Sequence, residues 1–228
     1  MEKFGVVGRS LIHSYSPLLH KKFGDYSYEL LTTEPEDVEA LLRSGEYRGF
    51  NITIPYKQMA MEYCDEISSA AHRIGCINTV IRDDDGRLRG YNTDYFGCRY
   101  LLKANGIDAA GRKCLILGSG ATSHTARAAL EDLGASKIVT ISRSGEDNYD
   151  NLFRHADAEI IVNTTPVGMY PNNLATLLDL EQFPQLRGVA DIIYNPYRTR
   201  LVLDPDRDRK STRLNSSHTT VSRMPSSA

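Results

Sequence analysis

No stretch of this 228-residue chain stays apolar for the roughly 18–20 residues that a membrane-spanning helix needs. The opening residues, MEKFGVVGRS, lack the apolar core of a secretory signal, and the expectation is a cytoplasmic protein. Cysteine is scarce and unpaired in spacing: Cys64, Cys76, Cys98 and Cys114 make no CxxC, which argues for reduced thiols and against a zinc cluster. The six histidines form no HxH or HExxH, so no metal site is expected. Neither sign of charge dominates. With 27 basic and 29 acidic residues the net charge is −2, and no strong field points to nucleic acid or to a membrane surface.

What is present is alternation. Short β-rich runs at 4–8, 26–31, 49–54, 77–82 and 88–92 are separated by helical segments. SPLLHKKF and EPEDVEALLRS each put a proline near a helix start, where its missing N–H costs nothing. A helix from Asn92 to about Gly106 leads into a second series of strands at 113–118, 137–142, 159–165 and 188–194, with a helix through TARAALEDLG. Strands interleaved with helices predict an α/β fold with parallel sheets in two domains. The N-terminal domain, 1–98, is expected to be an α/β substrate domain with a mainly parallel sheet, and 99–203 a Rossmann-like domain. Residues 204–228 are rich in Ser, Arg and Asp without either apolar period; they are expected to be a disordered, foreign-looking tail.

Two places carry chemistry. In GFNITIPYKQ, residues 49–58, Phe50, Ile52 and Ile54 alternate with Asn51 and Thr53 as in a strand with one polar side, and Lys57 follows directly after Pro55 and Tyr56. In LILGSGATSHTARAAL, residues 115–130, a strand meets a glycine turn and a helix. Gly118 permits the turn, Gly120 lets backbone approach a pyrophosphate, and the helix offers its unpaired N–H groups and positive dipole end. Ser123 occupies the third small position of the pattern. At the end of the next strand stand Ser142, Arg143 and Ser144 rather than an acidic residue, so a guanidinium is placed to meet the 2′-phosphate of NADP.

Open α/β sheets bind ligands beyond the carboxyl ends of their strands. Ser14, Ser16, Thr53, Lys57, Asn78 and Asp94 fall at or near such ends, and together they can line one pocket with hydroxyls, an amide and two charges. Each alone also fits a turn, a cap or the start of a helix.

Seven stretches, HSYSPLLH, FNITIPYK, GCINTV, GYNTDYFG, LGSGAT, NTTPVGMYP and DIIYNPYRT, resemble in order and spacing the motifs of the shikimate dehydrogenase family, over residues 4 to about 203. The resemblance implies reversible NADP-dependent reduction of 3-dehydroshikimate to shikimate, in aromatic amino acid biosynthesis. It implies Lys57 and Asp94 as the catalytic pair, with Ser14 and Ser16 on the substrate carboxylate. Thr53, Asn78 and Asp94 would hold ring hydroxyls, and Tyr194 would also lie at the substrate. Gly118, Ser119, Gly120, Ala121 and Thr122 would hold the pyrophosphate, Ser142, Arg143 and Ser144 the adenosine ribose phosphate, and Ile192 the nicotinamide. The partner is a small molecule, and the expected state is a monomer or homodimer.

Three departures from the family pattern stand out. The turn reads GSGAT where the family commonly shows a third glycine. Asp147 stands where a second basic residue often supports the 2′-phosphate, which is expected to weaken the preference for NADP. The family's glutamine-bearing segment and terminal helix have no counterpart after Leu203. Two alternatives remain open at this point: a quinate/shikimate dehydrogenase of relaxed specificity, and a catalytically silent NADP- or metabolite-binding protein. Reducing a ketone needs a proton donor beside the hydride source, and a lysine ammonium carries that proton at neutral pH.

Overall fold

The apolar run near the N-terminus forms β1 (Lys3–Gly8), with Val6 and Val7 buried. The computed structural model describes residues 1–11 and 14–203 and the backbone of 210–213. The chain divides into two compact units, the first ending at Asp94 and the second beginning at Tyr95.

In the first unit β1 is followed by α1 (Ser16–His20), β2 (Ser27–Thr32), α2 (Val38–Arg43), β3 (Gly49–Ile52) and the two-residue β4 (Glu66–Ile67). Then come α3 (Ser69–Ile74), β5 (Thr79–Arg82) and β6 (Leu88–Tyr91). The sheet order is β2-β1-β3-β5-β6-β4. β1 runs parallel to β2 and β3, and β4 to β6, whereas β5 is antiparallel to β3 and β6. The sheet is mainly parallel, as expected, and β5 is the strand that runs against its neighbours. The cause is local: the turn between β5 and β6 is closed by Asp83 Oδ1 accepting from Arg87 N at 2.9 Å and by Gly86 at φ 82°, too short a link for a parallel crossover. Val7, Val38, Leu42, Phe50, Ile52, Tyr56, Ile77 and Val80 form the core on which α2 packs, each such side chain contributing about 1.5–3 kcal/mol through burial.

This topology gathers one edge of the sheet. β1 and β3 end there, and β5, running the other way, begins there. β6 then returns to the same edge, so Thr79 faces Asn51 on one side and Tyr91 on the other.

The second unit holds most of α4 (Asp94–Ala104), then β7 (Lys113–Leu117), α5 (Ala121–Asp132), β8 (Lys137–Ile141), β9 (Ile160–Asn163), β10 (Gly188–Asp191) and β11 (Lys210–Arg213). Its order is β11-β10-β9-β7-β8, with every pairing parallel. Such a sheet is buried on both faces, so its strands read as apolar runs. Leu115, Leu117, Ile141, Ile161 and Val189 join Phe183 in the core, and α5 turns Ala126, Ala129 and Leu130 inward.

One expectation about the tail changes. Residues 210–213 pair along β10 instead of being irregular; an open strand edge takes up backbone hydrogen bonds whatever the side chains of the added segment. The rest of 204–228 lies outside the described residues. Among the described residues no helix is long and apolar enough to cross a membrane.

Candidate active site

The segment after β3 explains the placement of Lys57. Ile52 is the last strand residue, Thr53 N donates to Val7 O at 2.9 Å, and Tyr56 N donates back to Thr53 O at 2.9 Å. Tyr56 is buried and its hydroxyl donates to Thr33 O at 2.5 Å, which pins the turn from below. Ile54 has left the sheet and is 71% exposed, so the alternation read from the sequence ends two residues early. Ile77 N then donates to Lys57 O at 2.8 Å, fixing the lysine backbone. The α3 helix delivers that partner: Ser68 Oγ caps its start by accepting from Ala71 N, and Gly75, at φ 76°, ends it.

Lys57 Nζ lies 2.5 Å from Asp94 Oδ2, with the side chains only 11% and 2% exposed. Asp94 is the first residue of α4, where the helix dipole favours a carboxylate. Its turn is held by Asn78, whose Oδ1 accepts from Thr93 N at 2.8 Å and whose Nδ2 donates to Thr93 Oγ1 at 2.9 Å. Asn92 Nδ2 adds a bond to Cys76 O at 3.1 Å. The second carboxylate oxygen, Asp94 Oδ1, is buried and has no hydrogen-bond partner among the described residues. A buried acceptor in that state is costly and is satisfied by a donor from elsewhere.

A second polar group follows β1. Ser14 Oγ donates to Ser16 Oγ at 3.0 Å, and Ser16 N donates to Ser14 Oγ at 3.3 Å. Tyr28, on β2, hydrogen-bonds with Ser16, and its hydroxyl donates to Asn51 Oδ1 at 2.6 Å. Burial pushes the Tyr28 phenol above its ordinary range. The His20 ring stacks on Tyr28 at 3.6 Å between centroids, and its Nδ1 lies 2.8 Å from the Tyr26 hydroxyl.

The structure thus joins Lys57 with Asp94, Asn78 with the turn that carries Asp94, and Ser14 with Ser16. Thr53 packs against Gly8, where an added Cβ would come within 2.5 Å of Thr53 Cγ2. Tyr28, Asn51, His20 and Thr93 are the members that motif reading passed over. Asn51 had a signal: the strand's polar side is not solvated, and this amide is only 9% exposed.

In the second unit the expected cofactor residues sit at the carboxyl edge of the parallel strands. Gly118 follows β7 at φ 104°, and its N–H donates to Ile141 O at 2.8 Å, tying the turn to the end of β8. A side chain there would meet Thr165 Cγ2 at 2.9 Å and Thr164 Oγ1 at 3.0 Å. Gly120 is the opposite case, since a Cβ would meet nothing within 4 Å. Ser119 is exposed, and Ala121 and Thr122 open α5, which has no side-chain cap at Gly120. An uncapped helix start beside open space suits a pyrophosphate. Ser123 fits in place of a third glycine because its buried hydroxyl donates to Gly120 O at 2.6 Å. Ser142, Arg143 and Ser144 follow β8, with Arg143 and Ser144 exposed.

Ile192 and Tyr194 follow β10, and Ile192 N donates to Asn163 O at 3.2 Å. Their loop is anchored by Asp191, which is fully buried. Its Oδ1 accepts from Asn163 Nδ2 at 3.1 Å and Ile193 N at 3.0 Å, and its Oδ2 from Thr199 Oγ1 at 2.6 Å. Burial raises the Asp191 carboxyl above its ordinary value, while these three bonds pull it back.

A phosphate-type turn on a parallel sheet and a buried ammonium–carboxylate pair on a mixed sheet define a dinucleotide-dependent oxidoreductase. Comparison with known proteins carries this further. Residues 6–80 match the family described as shikimate dehydrogenase substrate binding domain. The NADP(+) shikimate dehydrogenase of Clostridium beijerinckii is 36% identical over 222 residues, covering 89% of this chain and 82% of that protein. The crystal structure of shikimate dehydrogenase 1 from Peptoclostridium difficile superposes with a TM-score of 0.84 at 33% identity, covering 93% of this chain and 86% of that one. The shikimate 5-dehydrogenase of Thermus thermophilus, in complex with NADP(H) and shikimate, gives 0.77 at 32% identity, with 86% and 80% covered. The chain belongs to the shikimate dehydrogenase family.

Proposed function

We propose that this chain catalyses the reversible NADP-dependent reduction of 3-dehydroshikimate to shikimate in aromatic amino acid biosynthesis, acting in the cytoplasm as a monomer or homodimer. The observation that carries the reading is the Lys57–Asp94 pair, closed at 2.5 Å through one carboxylate oxygen while the other, buried, has no partner among the described residues. One oxygen orients the ammonium, and the other is left to accept from a ring hydroxyl of the substrate. When bound, the nicotinamide supplies or takes the hydride. Lys57 Nζ–H gives its proton to the carbonyl oxygen in the reducing direction, and the neutral amine takes it back in the other.

The remaining roles are those that the family likeness implies. Asn78 Nδ2 has two hydrogens and uses one on Thr93, so one is left for a substrate hydroxyl. Thr53 serves the same ring. Ser14 and Ser16 supply hydroxyl donors for the carboxylate, and Tyr194 completes the substrate set. Gly118, Ser119, Gly120, Ala121 and Thr122 hold the pyrophosphate, with Ser142, Arg143 and Ser144 on the 2′-phosphate and Ile192 against the nicotinamide. A substrate with one carboxylate and several neutral hydroxyls calls for Ser, Thr and Asn with a single lysine rather than a cluster of arginines. The test is the absorbance of reduced nicotinamide formed with shikimate and NADP, run beside NAD. Turnover faster with NADP is expected; no turnover with either cofactor overturns the reading.

A further inference from the structure

The sequence puts an acid, Asp147, next to the stretch that would meet the 2′-phosphate, and the structure shows what is done with it. The turn is closed by Ser142 N donating to Asp147 O at 3.2 Å, so the carboxylate belongs to the same loop as Arg143. That loop is stiff. Asn148 N donates to Asn151 Oδ1 at 2.9 Å, Asn151 Nδ2 to Glu146 O at 2.8 Å and Asn148 Nδ2 to Gly145 O at 3.3 Å. Within it Asp147 Oδ1 lies 2.8 Å from His155 Nε2. Because a carboxylate only accepts, Nε2 is the donor.

His155 closes the short 3₁₀ turn Leu152–His155, and its side chain is only 8% exposed, against 34% for Asp147. Its other ring nitrogen, Nδ1, is buried and has no partner among the described residues. An apolar side chain of similar volume would pack there without an orphaned nitrogen. Packing alone therefore does not account for the imidazole, whereas its bond to Asp147 does. Asp157, within electrostatic reach of His155, is itself paired with Lys113.

We infer that His155 is a specificity-determining positioning residue: by binding Asp147 it holds an acid away from Arg143 and from the 2′-phosphate, and so lets the chain accept NADP. Released, the carboxylate can turn back onto the guanidinium and compete with the phosphate for it, or repel the phosphate directly. The inference rests on the placement of the 2′-phosphate at Ser142–Ser144 proposed above.

The probes are 2′,5′-ADP and 5′-AMP, titrated calorimetrically into the full chain, with KM for NADP and NAD measured alongside. The variants are His155→Leu, His155→Gln, Asp147→Asn and the double variant His155→Leu/Asp147→Asn. Expected is a several-fold loss of 2′,5′-ADP affinity in His155→Leu, a matching rise in KM for NADP but not for NAD, and retention in His155→Gln, which keeps a donor. Asp147→Asn alone should tighten 2′,5′-ADP, and added to His155→Leu it should restore it, which repair of mere structural damage would not do. Equal weakening of both nucleotides in His155→Leu, or no restoration in the double variant, overturns the inference. A wild-type chain indifferent to the 2′-phosphate, with Arg143→Ala also without effect, shows instead that the phosphate placement is wrong, and the inference falls with it.

Discussion

The roles proposed for the first unit fall on buried polar side chains, those for the second on exposed backbone. Around Lys57 the atoms proposed to act are an ammonium, a carboxylate and an amide, packed into an edge where strands of both directions meet. Around Gly118 they are N–H groups at the start of α5, and the glycines matter for what they leave out. Deleting a side chain should therefore cripple the first site, and adding one should cripple the second.

The largest effect is expected from Lys57→Ala. Loss of a positioned acid–base group costs about 10²–10⁴-fold in rate, so kcat with shikimate should fall that far while KM for NADP stays nearly unmoved. Steady-state kinetics decide it; a variant that keeps its turnover removes the lysine from the chemistry. Next comes the contrast between two single methyl groups. Gly118→Ala forces a left-handed residue and two close contacts, so urea melts should show a loss of about 1–3 kcal/mol. Gly120→Ala meets open space, so stability should change by no more than about 0.5 kcal/mol while KM for NADP rises, because the methyl stands where the pyrophosphate would approach. Equal destabilisation by both would break the comparison.

The smallest effect is in pH dependence. Burial raises the Asp191 carboxyl, so the folded chain binds that proton more tightly than the unfolded chain does. Between the ordinary aspartate value and the raised one the folded state carries the extra proton, and stability falls as pH rises through that window. Melting midpoints of wild type and Asp191→Asn, compared across acid pH, should show the wild type's advantage shrinking as pH rises. A constant difference would show that the carboxyl is not raised.

Much of this was legible in advance, for reasons that can be named. The strands of the second unit are near-continuous apolar runs, and some of their limits fell within a residue of those observed, as with 113–118 against Lys113–Leu117. The glycine turn was legible because a backbone site leaves its mark as missing side chains. Lys57 and Asp94 were legible as residue types. Their 2.5 Å contact was not, because it depends on Asn78 and Thr93 holding the start of α4 across the reversal at β5. β4 has two residues, too few for any period to show, and the sequence of β11, KSTR, carries neither apolar period. Ile54 looked like a strand residue because polarity alternates through it, yet the turn before Tyr56 takes it out of the sheet. Tyr28 and His155 stayed hidden because neither has a sequence neighbour that marks its task; their partners lie at Asn51 and Asp147.

The Tyr28 hydroxyl joins Ser16 to Asn51, and this constrains how the chain can drift. A phenylalanine at 28 would strand the Asn51 oxygen, and an apolar residue at 51 would strand the phenol. Either step alone is penalised, so the two positions are locked into moving as one. Lineages that cross that barrier would have to exchange a whole hydrogen-bonded triplet in concert.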